Sequence, residues 1–427
     1  MIRRISVSML FACFCIGLLN VPSFGDGGKA GNVEELLFME IPSVLAASRR
    51  EQSVTDAPAS VEVITAEEIK QCGATTIPEA LRMLTGINLI TVNSRNSIVN
   101  VRGFSEQQGA NETVLAMIDG RPMTWDVYDI VLWDRQSVSL DEIERIEVVK
   151  GPGSSLYGAN AYAGIINIIT KTPEQINGTQ VNIQGGSPKL WNTSVITGGT
   201  GKKVDYKLSA AFSSQDEYKD TAVNNAGQIS MANALVDYKF SDDSKLSFSA
   251  GRSYALDDKN SFGSTLGIGV NPTGDTNDYS QVSYTLGNLS IRSCLKDSYM
   301  NILFPVSSSP WYFRVTSNDT ELQHSINIQE KHTLVWGITS KTIEMKQSEI
   351  TTGDIYQAIW AVFAEDQFKA TDKLSVVLGA RYDKNTLMEG RISPRGGILY
   401  TIKDGHIVML SATQAPLKKN FLMKYSL

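Results

Sequence analysis

Residues 141–171 constrain this chain more than any other stretch: Asp-Glu-Ile-Glu-Arg-Ile-Glu-Val-Val-Lys-Gly-Pro-Gly-Ser-Ser-Leu-Tyr-Gly-Ala-Asn-Ala-Tyr-Ala-Gly-Ile-Ile-Asn-Ile-Ile-Thr-Lys. A short apolar strand, Ile146 to Val149, runs into the turn formers Gly151, Pro152, Gly153 and Gly158, which supply fixed or positive φ. The small residues from Ala159 to Gly164 let two backbone segments approach closely. Ile165, Ile166, Ile168 and Ile169 then form a continuous apolar strand, the pattern of burial on both faces. Before this stretch the sequence is compact and mixed; after it, alternating β segments are separated by long polar loops. The residues alone imply the last hairpin of a small α+β domain and a domain boundary.

The chain has 427 residues, more than one small domain needs, so two domains are expected. Its net charge of −6 argues against a nucleic-acid partner. Beyond the N-terminus no run of about 18 uncharged apolar residues predicts a spanning helix, a test to which a spanning β-barrel is blind. The first 25 residues read as an export signal. Arg3 and Arg4 form a basic start, Ile5 to Leu19 an apolar centre, and Pro22, Ser23 and Gly25 suit a cleavage site. A retained membrane anchor is the alternative. Cys13 and Cys15 would leave with the signal, and Cys72 and Cys294 are expected as unpaired thiols.

Residues 26–57 read as a linker. Within it, Glu40, Ile41, Pro42, Ser43 and Val44 favour an extended backbone, because Pro42 lacks an N–H and disfavours helix at Ile41. Such a segment can add a strand to a partner's sheet edge, or be plain linker. Residues 58–172 read as one compact unit. Thr65 with Glu68, Thr76 with Glu79 and Ser139 with Glu142 form capping boxes, and Gly73 and Gly86 stop the first two helices. Strands are predicted over 87–92, 98–101 and 114–118, the last entering the turn Asp119-Gly-Arg-Pro122.

From residue 173 to 427 the texture is strand, turn, strand. Leu246, Phe248 and Ala250 alternate with Ser247, Ser249 and Gly251; Leu374, Val376, Leu378, Ala380 and Tyr382 alternate with Ser375, Val377, Gly379 and Arg381. Apolar-out, polar-in segments of about 10 residues suit transmembrane barrel strands, and a soluble β-sandwich is the alternative. Separate strands are expected to start near Trp311 and Leu322. Long loops are expected at 214–228, 255–279 and 341–354. Tyr238, Phe240, Tyr254, Trp311, Tyr312, Trp360, Phe363 and Tyr382 suit interfacial girdles. No catalytic or metal-binding constellation emerges: the three His are separated in sequence, and Gly151-x-Gly153 precedes no phosphate-binding helix.

Four motifs carry a resemblance. Glu144-Arg-Ile-Glu-Val-Val-Lys-Gly-Pro152 with Leu156-Tyr-Gly158 through Lys171, Thr76-Ile-Pro-Glu-Ala-Leu-Arg-Met-Leu-Thr-Gly-Ile87, Val99-Asn-Val-Arg-Gly103 and Met117-Ile-Asp-Gly-Arg121 occur in the order and at the spacing of the plug domain of TonB-dependent outer-membrane receptors. The resemblance implies an α+β plug domain followed by an antiparallel transmembrane β-barrel. That barrel would be incomplete, with roughly 12–14 of about 22 strands. Ile392-Ser-Pro-Arg395 and Leu410 through Pro416 resemble a mid-barrel segment of the family. It further implies a cell outer membrane location in a Gram-negative type bacterium, outer-membrane lipid around the barrel, and no cofactor. Glu40–Val44 would be a degenerate TonB box gripped by the TonB energising protein of the inner membrane. The ligand would be a small chelate, with a ferric siderophore the first expectation and vitamin B12, haem or a glycan as alternatives. Apical plug loops would place Arg95, Asn96, Gln107, Gln108, Trp125 and Tyr128 against it. Arg102 and Arg145 are expected to latch the plug onto carboxylates of the barrel's inner wall, since isolated buried charges are costly. A non-transporting remnant, whose plug binds ligand or partner without a sealed pore, is the second reading.

Overall fold

The computed structural model describes residues 43–54, 57–91, 97–103, 113–126, 130–158, 160–187, 189–216, 227–257, 274–302, 311–347, 354–386, 388–403 and 406–414. The expected signal segment, and Glu40, Ile41 and Pro42, lie outside these residues. Up to Thr170 the strands are β1 (Ser43–Val44), β2 (Gln52–Ser53), β3 (Ser60–Thr65), β4 (Ile87–Thr91), β5 (Ser97–Val101), β6 (Val114–Ile118), β7 (Arg121–Pro122), β8 (Thr124–Trp125), β9 (Ile130–Val131), β10 (Ile143–Lys150) and β11 (Gly164–Thr170).

The helices start where their side chains satisfy the first free N–H groups. Over Ala66–Gln71, the Thr65 hydroxyl accepts from the Glu68 N–H at 3.3 Å, and the Glu68 carboxylate accepts from the Thr65 N–H at 2.8 Å. Over Ile77–Leu81, the Thr76 hydroxyl accepts from the Glu79 N–H and Pro78 occupies the first turn. Ile69, Ile77, Ala80 and Leu81 turn inward.

The central sheet has the order β3-β10-β11-β6-β7, with β11 antiparallel to β10 and parallel to β6. Alternation sorts its side chains onto two faces. Val114, Ala116, Ile118, Ile146, Val148, Ile166 and Ile168 face the helices; Leu115, Met117, Val149 and Ile165 face the other way. That second face is covered by Val44, Ala46, Ala47 and Ala57. Residues 43–54, read from sequence as linker, are therefore docked, and Val44 is fully buried. Asp119 and Gly120 have φ of 47° and 75°, the left-handed pair that a tight β6–β7 hairpin needs.

Thirteen further strands follow: β12 (Gly178–Gly186), β13 (Leu190–Thr200), β14 (Val204–Gln215), β15 (Gly227–Ser241), β16 (Ser244–Asp257), β17 (Gly274–Leu286), β18 (Leu289–Ile302), β19 (Trp311–Ile328), β20 (His332–Gln347), β21 (Ile355–Lys369), β22 (Leu374–Asn385), β23 (Met388–Lys403) and β24 (His406–Thr413). Each pairs antiparallel with the next, and among the described residues β12 and β24 have one neighbour each. Burial along β14 inverts the pattern of a water-soluble protein. Val204, Tyr206 and Leu208 are 45%, 44% and 38% exposed, while Asp205, Lys207 and Ser209 are buried. An apolar outer face over a polar inner face is what hydrocarbon on one side demands. Leu246, Phe248 and Leu378 point outward as expected.

Three expectations change. The strands predicted at Trp311 and Leu322 are one 18-residue strand, β19. Its polar middle looks like a break in sequence, but Ser317 is buried on the inner face, where polarity suits a strand. Phe363 faces inward, buried against Leu156 and Val335, because the N-terminal domain fills the space there. Strand β20 runs on to Gln347, so the loop expected from 341 starts later. Cys72 is exposed and Cys294 buried, and both are free thiols.

Candidate functional site

The N-terminal domain meets the inner face of the large sheet through charged groups on both sides. Asp126, next to the β8 strand, is almost fully buried and forms ion pairs with Lys341 of β20 and, at 3.5 Å, with Lys296 of β18. Lys296 also donates to the carbonyls of Pro122 and Thr124 at 3.3 and 3.2 Å. Arg135 reaches Asp275 of β17 at 3.4 Å, and the Arg121 guanidinium lies 3.4 Å above the Tyr279 ring. Lys207 of β14 donates to the Thr170 hydroxyl at 2.7 Å and the Lys171 carbonyl at 2.8 Å. Arg395 of β23 pairs with Glu365 of β21 at 3.2 Å and donates to the Pro58 carbonyl.

Residues 154–158, just ahead of the small-residue stretch, make a further set of contacts with the wall. A short helix over Ser154–Tyr157 pushes Leu156, fully buried, between Val335 and Phe363. Arg381 of β22 donates to the Leu156 carbonyl at 3.1 Å and lies against Gly158, where an added Cβ would stand 3.3 Å from its Nε. Tyr157 lies beneath the Arg49 guanidinium at 4.1 Å, and Phe363 takes the same cation at 4.7 Å. Arg49 pairs with Glu321 of β19. Burial disfavours the Arg49 cation, but Glu321 and its neighbours outweigh it and hold the pKa above its ordinary value. Burial pushes the Tyr157 phenol up, and likewise the Glu142 carboxyl, against Lys207 acting the other way.

Between β6, β7 and the inner wall at β18–β22 lies a cavity of about 350 Å³. Arg49, Arg292, Lys341 and Arg381 line it together with Asp319, Glu321 and Asp383. Arg292 pairs with Asp319 at 3.1 Å and Arg381 with Asp383 at 2.9 Å, so the wall is charged but internally compensated. The buried Asn167 side-chain amide oxygen and one Arg292 nitrogen, both on this wall, have no hydrogen-bond partner among the described residues. A cavity with such groups is one that water enters.

The sequence-derived candidates are distributed differently. Arg95, Asn96, Gln107, Gln108 and Tyr128 lie outside the described residues. Trp125 is buried rather than displayed, edge-to-face with Phe313 at 6.2 Å, because the neighbouring Asp126 is pinned to the wall. Arg145 pairs within its own domain, with Glu144 at 2.7 Å and Glu147 at 3.0 Å. Arg102 is exposed with φ of 55° and makes no ion pair among the described residues. Arginines of the N-terminal domain do meet wall carboxylates, but they are Arg49 on Glu321 and Arg135 on Asp275 rather than Arg102 and Arg145. The wall adds Lys296 and Lys341 on Asp126, and Lys207, Arg381 and Arg395 on hydroxyl and carbonyl oxygens. A sequence signal for these existed: Lys207 and Arg381 occupy inward positions of strands whose alternate residues are apolar and face outward. Among the described residues, no cluster of three or more His, Cys, Asp or Glu is placed to hold a metal.

Comparison with known proteins decides the family. The TonB-dependent Receptor Plug Domain model matches residues 53–165, and the TonB dependent receptor-like, beta-barrel model matches residues 175–415. The chain belongs to the TonB-dependent receptor family. Its N-terminal domain is the plug, its large sheet is barrel wall, and its place is the outer membrane. The family comprises receptors and transporters rather than enzymes. The Vitamin B12 transporter BtuB of Vibrio cholerae is 35% identical over 178 residues, 41% of this chain and 28% of that protein. The Iron-regulated outer membrane virulence protein of Vibrio cholerae is 26% identical over 409 residues, 85% of this chain and 58% of that protein. The ferric yersiniabactin uptake receptor FyuA from Yersinia pestis has the same fold, with a TM-score of 0.68 at 17% identity, over 86% of this chain and 65% of that one. The chain therefore spans less than two thirds of the length of these relatives.

Proposed function

We propose that this TonB-dependent receptor takes up a ferric siderophore, with TonB gripping the segment that includes Glu40, Ile41, Pro42, Ser43 and Val44. The ligand class rests on how far each likeness reaches. Similarity to the iron-regulated outer membrane virulence protein runs through 85% of the chain, strands included, whereas similarity to the B12 transporter covers 41%. Ligand would meet the plug at Arg95, Asn96, Gln107, Gln108 and Tyr128. An export signal over residues 1–25 and lipid around the barrel belong to the same reading.

A second reading keeps the plug as a binder without a sealed pore. It is motivated by β12 and β24, each with a free edge among the described residues, because unpaired edge groups are costly in hydrocarbon. A growth panel separates the possibilities. Cells with and without the gene are compared with iron, cobalamin or glycan limiting. The expected result is a growth defect of the deleted strain under iron limitation alone. A defect under cobalamin or glycan limitation instead would reassign the ligand, and no defect anywhere would favour the binder.

A further inference from the structure

One buried group has no part in joining plug to barrel. Glu147 lies in the middle of β10 and is fully buried, facing away from the helices. One of its carboxylate oxygens accepts the successive backbone N–H groups of Leu45 and Ala46 at 2.9 and 2.8 Å. Two consecutive N–H groups converging on one anionic oxygen form a small anion-holding nest. Its other oxygen accepts from Arg145 at 3.0 Å. Three residues further on, the same segment is held again by the Arg49–Glu321 pair, and Gln323 donates to the Arg49 carbonyl at 2.7 Å. Arg50 adds a 2.6 Å bond to Gln367. This segment is also a wall: Leu45 and Arg49 line the 350 Å³ cavity beside β6.

We propose that Glu147 and Glu321 are positioning residues that hold segment 43–50 as the removable wall of the plug–barrel cavity. The proposal rests on the uptake reading only for the source of the pull. Charged anchors suit reversible holding. When the segment leaves, both carboxylates open onto a cavity that already holds polar groups, and water replaces the lost hydrogen bonds. Withdrawal also uncovers Leu115, Met117, Val149 and Ile165, whose exposure to water drives the segment back. A pull on the segment can thus widen the cavity while the helix-covered face of the plug sheet stays packed.

The test uses the full chain in isolated outer membranes, carrying Cys72→Ser so that the exposed native thiol is absent. Val44→Cys reports on the segment and Ala80→Cys on the helix-covered core; both positions are fully buried. Labelling by a membrane-impermeant maleimide is timed with and without Glu147→Gln or Glu321→Gln. The expected result is a rise of about tenfold or more at position 44 for each variant, with position 80 unchanged. An unchanged rate at position 44 overturns the proposal. Equal acceleration at both positions also overturns it, because the carboxylates would then support the plug as a whole. No ligand or TonB is needed, so failure of the uptake reading leaves this result standing and the two are distinguishable.

Discussion

Replacing Asp126 with Ala is expected to free the plug from the β18–β20 side of the wall, at a cost of about 3–5 kcal/mol. The reason is asymmetry. Asp126 is buried between Lys296 and Lys341, and truncating it leaves two ammonium groups facing each other without that carboxylate. Removing one member of a buried charged set costs more than the set contributes, because the partners' desolvation is no longer offset. Replacing all three, with Asp126→Leu, Lys296→Met and Lys341→Met, should therefore cost much less than Asp126→Ala alone. Limited proteolysis of the plug in outer-membrane vesicles measures both. If the single and triple variants were cleaved at the same rate as the parent, the plug would be held elsewhere.

Gly164→Ala is the second change with a large expected effect. An added Cβ there would stand 2.7 Å from the Val149 carbonyl oxygen and 3.3 Å from both Val101 methyl groups. Backbone of the paired strand cannot swing aside, so β10 and β11 must separate where the sheet is most buried. Overpacking of this kind costs about 1–3 kcal/mol, and the rigid obstacle places Gly164 at the upper end. Gly153→Ala is the control. Its Cβ would meet the tip of the Ile165 side chain at 2.4 Å, a group that can change rotamer. Thermal unfolding of the plug should fall distinctly further for Gly164→Ala than for Gly153→Ala, and an equal loss would contradict this packing account.

These two residues show what could be read in the chain and what could not. Gly164 sits in the stretch from Ala159 whose smallness alone announced a close approach. The capping boxes at Thr65 and Ser139, the Asp119–Gly120 turn and the outward alternation of β16 and β22 were equally legible, because each is decided by neighbours a few residues apart. At Thr76 the hydroxyl caps the helix as expected, but Glu79 reaches back to Thr75 instead of closing the box. Asp126 was not legible. Its partner Lys341 lies 215 residues away, and nothing local separates it from a solvated loop carboxylate. Arg145 went astray for the opposite reason: its carboxylate partners Glu144 and Glu147 are one and two residues away, while the wall carboxylates Glu321 and Asp275 are taken by Arg49 and Arg135. Docking of residues 43–54 was hidden because Val44, Ala46 and Ala47 are too few and too small to mark a core by pattern. The polar middle of β19 misled in the opposite sense, since on an inner barrel face polarity is no sign of a loop.

The most direct test of the central claim is uptake of radioactive ferric siderophore by whole cells under iron limitation. Cells carrying the gene are compared with cells lacking it, each with TonB intact or removed. The account predicts accumulation that requires both the gene and TonB and stops when the inner membrane is de-energised. Accumulation that is the same without the gene, or that persists without TonB, would contradict it.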